Sequence, residues 1–127
     1  MRAADTDVLV RLLARDDVKQ LAAAEAFVAA GPVWISHVVL VEAVWVLGSV
    51  YGVRPKELSE AIERLSDHAS LSLQDADVVA AALGLFRQRP QIGFSDCLVL
   101  EIARKAGHLP LATFDRALAR AEGTKRL

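Results

Sequence analysis

The sequence predicts an α/β fold, a small parallel sheet flanked by helices. Three observations carry that prediction. Short apolar runs of strand length stand at residues 1–4, 32–35, 70–73 and 109–113. The segments between them repeat their apolar residues at helical spacing, and Gly or Pro punctuates the junctions. Strands that alternate with helices pair in parallel, because the chain must cross back over the sheet before laying the next strand.

Each element has its own reason. The first run ends at Asp5, after which Val8, Leu9, Leu12 and Leu13 recur as one helix face. Asp17 opens an alanine-rich helix reaching about Ala29, where Gly31-Pro32 stops it. Ser36 caps a helix that carries Glu42 and ends before Gly48 or Gly52. Pro55 fits the first turn of a helix to about Asp67 with Leu58, Ile62 and Leu65 on its buried face. A further helix spans about residues 75–89 and halts before Pro90. Ser95 caps the next, through Lys105 to the break at Gly107. Residues 109–113 form the last strand, and Asp115 begins a terminal helix.

A chain of 127 residues, 54% of them hydrophobic, has the size and apolar content of one domain spanning 1–127. Its net charge of -1 argues against a globally basic nucleic-acid binder, so any such partner is held locally. The single cysteine, Cys97, excludes an intramolecular disulfide and a zinc site built on cysteines, and suits a reducing cytoplasm. Asp5 and Asp7 interrupt the opening before any hydrophobic leader develops, so secretion is not expected. No membrane span is expected either: residues 26–53 are the least polar, but Gly31-Pro32 splits them and Glu42 lies among them.

Ligands of parallel sheets lie at the carboxyl ends of the strands. That rule gives Asp5, Glu42, Asp96 and Asp115 a common address. Each also has an ordinary reading. Asp5 and Asp115 fit helix caps, and Asp96 complements a helix dipole. Glu42 is harder to dismiss, with four apolar residues before it, five after it, and no basic residue within a turn or two. Like charges about 4 Å apart repel by about 4 kcal/mol at an effective dielectric near 20. A hard divalent cation removes that penalty and suits an all-oxygen site. Physical reasoning stops at an acidic metal site in an α/β domain.

The segments AADTDVLVRLL (3–13), VVLVEAVWVL (38–47), FSDCLVLEIARKAG (94–107) and LATFDRALARA (111–121), in this order, resemble the PIN-domain nucleases, and among them the VapC toxins of prokaryotic toxin-antitoxin pairs. The resemblance implies a Mg²⁺-dependent endoribonuclease, with Mn²⁺ as a substitute. Its acidic metal and catalytic residues would be Asp5, Glu42, Asp96 and Asp115. It implies an RNA substrate (tRNA, rRNA or mRNA), a VapB-like antitoxin partner, a homodimer and a cytoplasmic location. The family usually follows its first aspartate with Thr-Asn, whereas this chain has Thr6-Asp7. Thr6, Asp7 and Thr113 are candidate supports of the site, Thr113 reading equally as a plain strand threonine. Arg11, Arg15, Arg116 and Arg120 are candidate RNA contacts or simply a solvated helix face. Trp34, Trp45, Tyr51 and Phe94 read as core or interface, and His37, His68 and His108 lack metal-ligand spacing.

Rival readings are a housekeeping PIN nuclease of RNA processing, a catalytically silent PIN-like module that binds RNA or protein, and a phosphoacceptor signalling domain. The last would need Asp16-Asp17 at the end of a buried strand, but they follow a helical pattern.

Overall fold

Short parallel strands organise the amino-terminal part of the chain, and two of them run into a helix whose first turn is capped at the strand's carboxyl end. The computed structural model describes residues 1–127 as two units, Met1–Ala76 and Asp77–Leu127. In the first unit the order is β1 (Arg2–Ala3), α1 (Thr6–Ala14), α2 (Val18–Ala29), β2 (Val33–Ile35), α3 (His37–Ser49), α4 (Pro55–Asp67) and β3 (Leu71–Leu73). The strands form one parallel sheet in the order β1-β2-β3, with Arg2 opposite Val33, Val33 opposite Leu71 and Ile35 opposite Leu73.

Side chains start three of these helices. Asp5 accepts a hydrogen bond from the Val8 amide at 3.1 Å, Asp17 from Gln20 at 2.9 Å and Ser36 from Val39 at 3.2 Å. Each such cap is worth about 1 kcal/mol. Pro55 stands at the start of α4, and Leu58, Ile62 and Leu65 are its buried face, as the periodicity predicts. Of the two glycines that offer α3 a stop, Gly52 takes the part, at φ 65°. Gly48 remains inside the helix, where a Cβ would meet a Leu58 methyl at 3.6 Å.

Leu9, Val10, Val33, Ile35, Leu40, Ala43 and Ile62 are the most buried apolar residues of this unit. Full burial stabilises each large aliphatic side chain by about 1.5–3 kcal/mol. Helix α1 packs on α2 and α3, and α4 packs on β3 and α3.

The second unit contains α5 (Ala76–Gln88, beginning at the boundary), a 3₁₀ turn (Pro90–Ile92), α6 (Phe94–Ala106), β4 (Leu111–Thr113), a second 3₁₀ turn (Leu118–Arg120) and β5 (Thr124–Arg126). Strands β4 and β5 pair in parallel, Leu111 opposite Thr124 and Thr113 opposite Arg126. Phe86 of α5 meets Phe94 of α6 edge to face, with ring centroids 6.0 Å apart.

Three expectations are corrected here. Ser95 does not cap α6. Gly93, at φ 86°, lets the chain enter the helix earlier, and Ser95 is its second residue. No α-helix follows Asp115, only a turn and then the 3₁₀ turn Leu118–Arg120, and β4 is not the last strand because β5 follows it. Gly107 ends α6 in the left-handed region at φ 81°, as expected. No helix is long and apolar enough to cross a membrane.

Candidate acidic site

Helices α1 and α3 both leave the carboxyl end of their sheet, and that common origin sets the positions of the first acids. Asp5 is the cap residue of α1, Thr6 its first helical residue, and Glu42 the sixth residue of α3. The Thr6 hydroxyl donates to Glu42 Oε2 at 2.7 Å, joining the first turn of α1 to the second turn of α3. Glu42 is exposed, so its apolar sequence neighbours do not enclose it: Ala43 and Val44 face the core while the carboxylate faces out.

Asp5 and Asp115 use their acidity in the same way. Asp5 Oδ1 takes the Val8 amide, and Asp115 Oδ1 takes the Leu118 amide at 2.8 Å. Asp5 is the helix cap it was expected to be, whereas Asp115 closes a turn and no α-helix follows it; each keeps its second carboxylate oxygen out of that bond. Thr113 Oγ1 accepts the Asp115 backbone amide at 2.9 Å and so fixes the turn that presents it.

Asp96 is the third residue of α6 and half-buried. Burial, and after it the charge of Asp115, hold its carboxyl above the usual carboxylate range. The second unit thus brings Asp96 and Asp115 within electrostatic reach. Cys97, next to Asp96, is fully buried, and its thiol is pushed up to about 12, chiefly by that burial.

The acids thus come as two groups, Asp5 with Thr6 and Glu42 in one unit, and Asp96 with Asp115 and Thr113 in the other. Nowhere do three or more His, Cys, Asp or Glu side chains gather in a geometry that holds a metal ion. The donor set itself, carboxylate oxygens that repel one another, is the chemistry that hard divalent cations take.

The arginines separate by position. Arg15 ends α1 in the left-handed region at φ 56° and pairs with Glu25 at 3.9 Å. A nine-residue helix is about 14 Å long, so Arg15 stands at the far end of α1 from Asp5. Arg11 donates to Asp16 Oδ1 at 2.9 Å, and the Tyr51 hydroxyl donates to Asp16 Oδ2 at 2.8 Å. That hydroxyl bond, first among several causes, holds the Asp16 carboxyl below the usual range. Arg116 and Arg120 are exposed in the second unit, the Arg120 carbonyl accepting from Arg89 at 3.0 Å.

Phe94 is core, at 3% exposure, whereas Trp45 is 64% exposed on α3 and Trp34 and Tyr51 are also exposed. The sequence reading missed a hollow between α1 and α2, lined by Asp5, Asp7, Val8, Arg11, Gln20, Ala23, Ala24 and Phe27. Its signal was present: Gln20, Ala23, Ala24 and Phe27 recur at the spacing of one helix face.

Comparison with curated proteins and with solved structures returns no significant match. The family model of the PIN domain matches residues 3–123. That match takes in Asp5, Glu42, Asp96 and Asp115 and nearly the whole chain, which therefore belongs to the PIN-domain family.

Proposed function

We propose that this chain is a Mg²⁺-dependent endoribonuclease of the VapC type, the toxin of a toxin-antitoxin pair, working in the cytoplasm as one domain over residues 1–127. The observation that carries the reading is the state of Asp96. It is half-buried in α6, with the charge of Asp115 in electrostatic reach, in a family generally associated with nuclease activity. A half-buried carboxylate with a second carboxylate in electrostatic reach suits a divalent counter-ion.

Asp5, Glu42, Asp96 and Asp115 would hold the ion, Mg²⁺ or Mn²⁺. When bound, it would supply an activated water and charge neutralisation at a phosphodiester. The protein's own contribution is orientation. Thr6 fixes one oxygen of Glu42, the caps fix the rotamers of Asp5 and Asp115, and Thr113 fixes the turn before Asp115. Thr6 and Thr113 are positioning residues in this scheme.

An RNA phosphate backbone would find Arg116 and Arg120 exposed, and Arg11 only by exchange with Asp16. Val38, 66% exposed, and Trp45 lie a turn to either side of Glu42 on α3. They offer an apolar landing for the antitoxin or for a second copy of the chain.

The deciding experiment is cleavage of total cellular RNA by the purified protein with Mg²⁺, with Mn²⁺ and with EDTA, beside Asp96→Asn. Metal-dependent cleavage that disappears in the variant is the expected result. Cleavage that persists in EDTA or in Asp96→Asn would overturn the assignment. Growth arrest on expression of the chain, relieved by co-expression of a small protein from the adjacent reading frame, tests the toxin role.

A further inference from the structure

The hollow between α1 and α2 has a volume of about 410 Å³, within the roughly 300–1,000 Å³ of small-ligand sites. It exists because Ala23 and Ala24, on the α2 face toward α1, are too small to fill the space between the helices. Phe27 closes the apolar part. The Arg2 guanidinium lies 4.0 Å from its ring centroid and holds the ring in place, yet the residue is 38% exposed. Three polar side chains complete the lining: Asp7, an acceptor; Gln20, both donor and acceptor; and Arg11. The buried Nε–H of Arg11 has no partner, although the same guanidinium pairs with Asp16. Asp5, a member of the acidic site, also lines this hollow.

We infer that this hollow receives one unstacked nucleobase of the RNA, next to the phosphate held at the acidic site. The inference rests on the endoribonuclease reading for its substrate. Phe27 supplies the apolar platform on which an unpaired base packs, as in single-strand RNA recognition generally. Gln20 reads donor and acceptor positions on the base edge, and Asp7 accepts from an exocyclic amino group. Adenine, cytosine and guanine carry that group and uracil does not, so the site favours the three amino-bearing bases. Asp7, where the family usually has Asn, becomes a specificity-determining residue: a carboxylate only accepts, whereas an amide also donates.

Two measurements test this and keep its failure apart from failure of the nuclease reading. In the first, isotope-labelled protein in EDTA is titrated with AMP, CMP, GMP, UMP and inorganic phosphate, and amide shifts are followed by NMR. The expected result is saturable shifts at Val8, Gln20, Ala23 and Ala24, tighter for the three amino-bearing nucleotides than for UMP. They should weaken roughly 5- to 100-fold in Phe27→Ala and in Gln20→Ala, the latter a change on an exposed helix face that leaves folding intact. Shifts reproduced by inorganic phosphate, or equal for UMP, would overturn the inference, as would none at these amides. In the second, cut positions are mapped in a randomised oligoribonucleotide pool with Mg²⁺, and the bias against uracil beside the cut should flatten in Gln20→Ala. Metal-dependent cleavage with no base bias would leave the nuclease standing and remove the base site. Nucleotide-specific shifts without cleavage would do the reverse.

Discussion

Replacing Thr6 with valine removes one hydroxyl and almost nothing else, because the two side chains share a β-branched shape. The hydroxyl donates to Glu42 Oε2 at 2.7 Å, a short bond to a charged acceptor. Bonds to charged groups are worth about 1.5–3 kcal/mol when well sheltered. Glu42 is exposed, so water replaces the lost donor and the cost falls to about 0.5–1 kcal/mol. In a chain of this size that lowers the melting temperature by roughly 2–5 °C. The Asp5 cap on Val8 does not involve Thr6 and persists. Activity should suffer far more. A group that orients a metal-binding carboxylate typically contributes about 10- to 100-fold, and under the proposed function we expect that loss in kcat/KM for RNA cleavage. Thr6→Ser, which retains the hydroxyl, should recover most of it. If Thr6→Val stays within twofold of the parent while Glu42→Gln is inactive, the hydroxyl does not orient the carboxylate and the positioning role fails.

Other expectations follow from the same structure. Asp115→Asn keeps an oxygen to cap the Leu118 amide but removes the charge facing Asp96, so the Asp96 carboxyl should titrate lower, while remaining raised by burial. An unchanged Asp96 titration curve by carbon NMR would rule out that coupling. Tyr51→Phe removes the hydroxyl that holds Asp16 below the usual range. A lowered carboxyl stabilises the fold above its unfolded pKa of about 3.9 and ceases to do so as pH falls through its folded value. The stability gap between Tyr51→Phe and the parent should therefore narrow from pH 7 to pH 3, and urea melts showing the same gap at both would contradict it. Cys97, fully buried, should react with a thiol reagent only at the rate of unfolding; rapid stoichiometric labelling in native buffer would place the thiol at the surface.

Much of the helical framework is legible in the sequence because caps and breakers act locally. Asp17, Ser36, Pro55 and Gly107 do in the structure what their residue types suggest. The C-terminal segment is different. RALARA has high helix propensity, yet after the Asp115 cap the chain forms a single 3₁₀ turn and then pairs Thr124–Arg126 with β4. Tertiary pairing overrides propensity there. A three-residue strand reading Thr-Lys-Arg has too few positions to show alternation.

The family resemblance names the four acids, but it says nothing of their environments. Glu42 looks buried when its neighbours are counted along the chain. It is exposed because a helix turns 100° per residue and sends Ala43 and Val44 inward. The hollow beside Asp5 escaped because it depends on what Ala23 and Ala24 lack, and a missing side chain leaves only a weak mark in a pattern of apolar residues.

In the proposed nuclease Asp5 and Asp115 would have a double use, which bears on how the protein would decay if such an activity were no longer selected. Each spends one oxygen closing a turn, so a lineage that had lost all need for catalysis would still be penalised by about 1 kcal/mol for discarding either. Their survival in descendants would testify to folding alone. Glu42 and Asp96 hold no such backbone amide, and burial together with the charge of Asp115 raises the Asp96 carboxyl, a cost a neutral residue would not carry. Drift would take these two first, and a homologue retaining both is the one in which to look for a working enzyme.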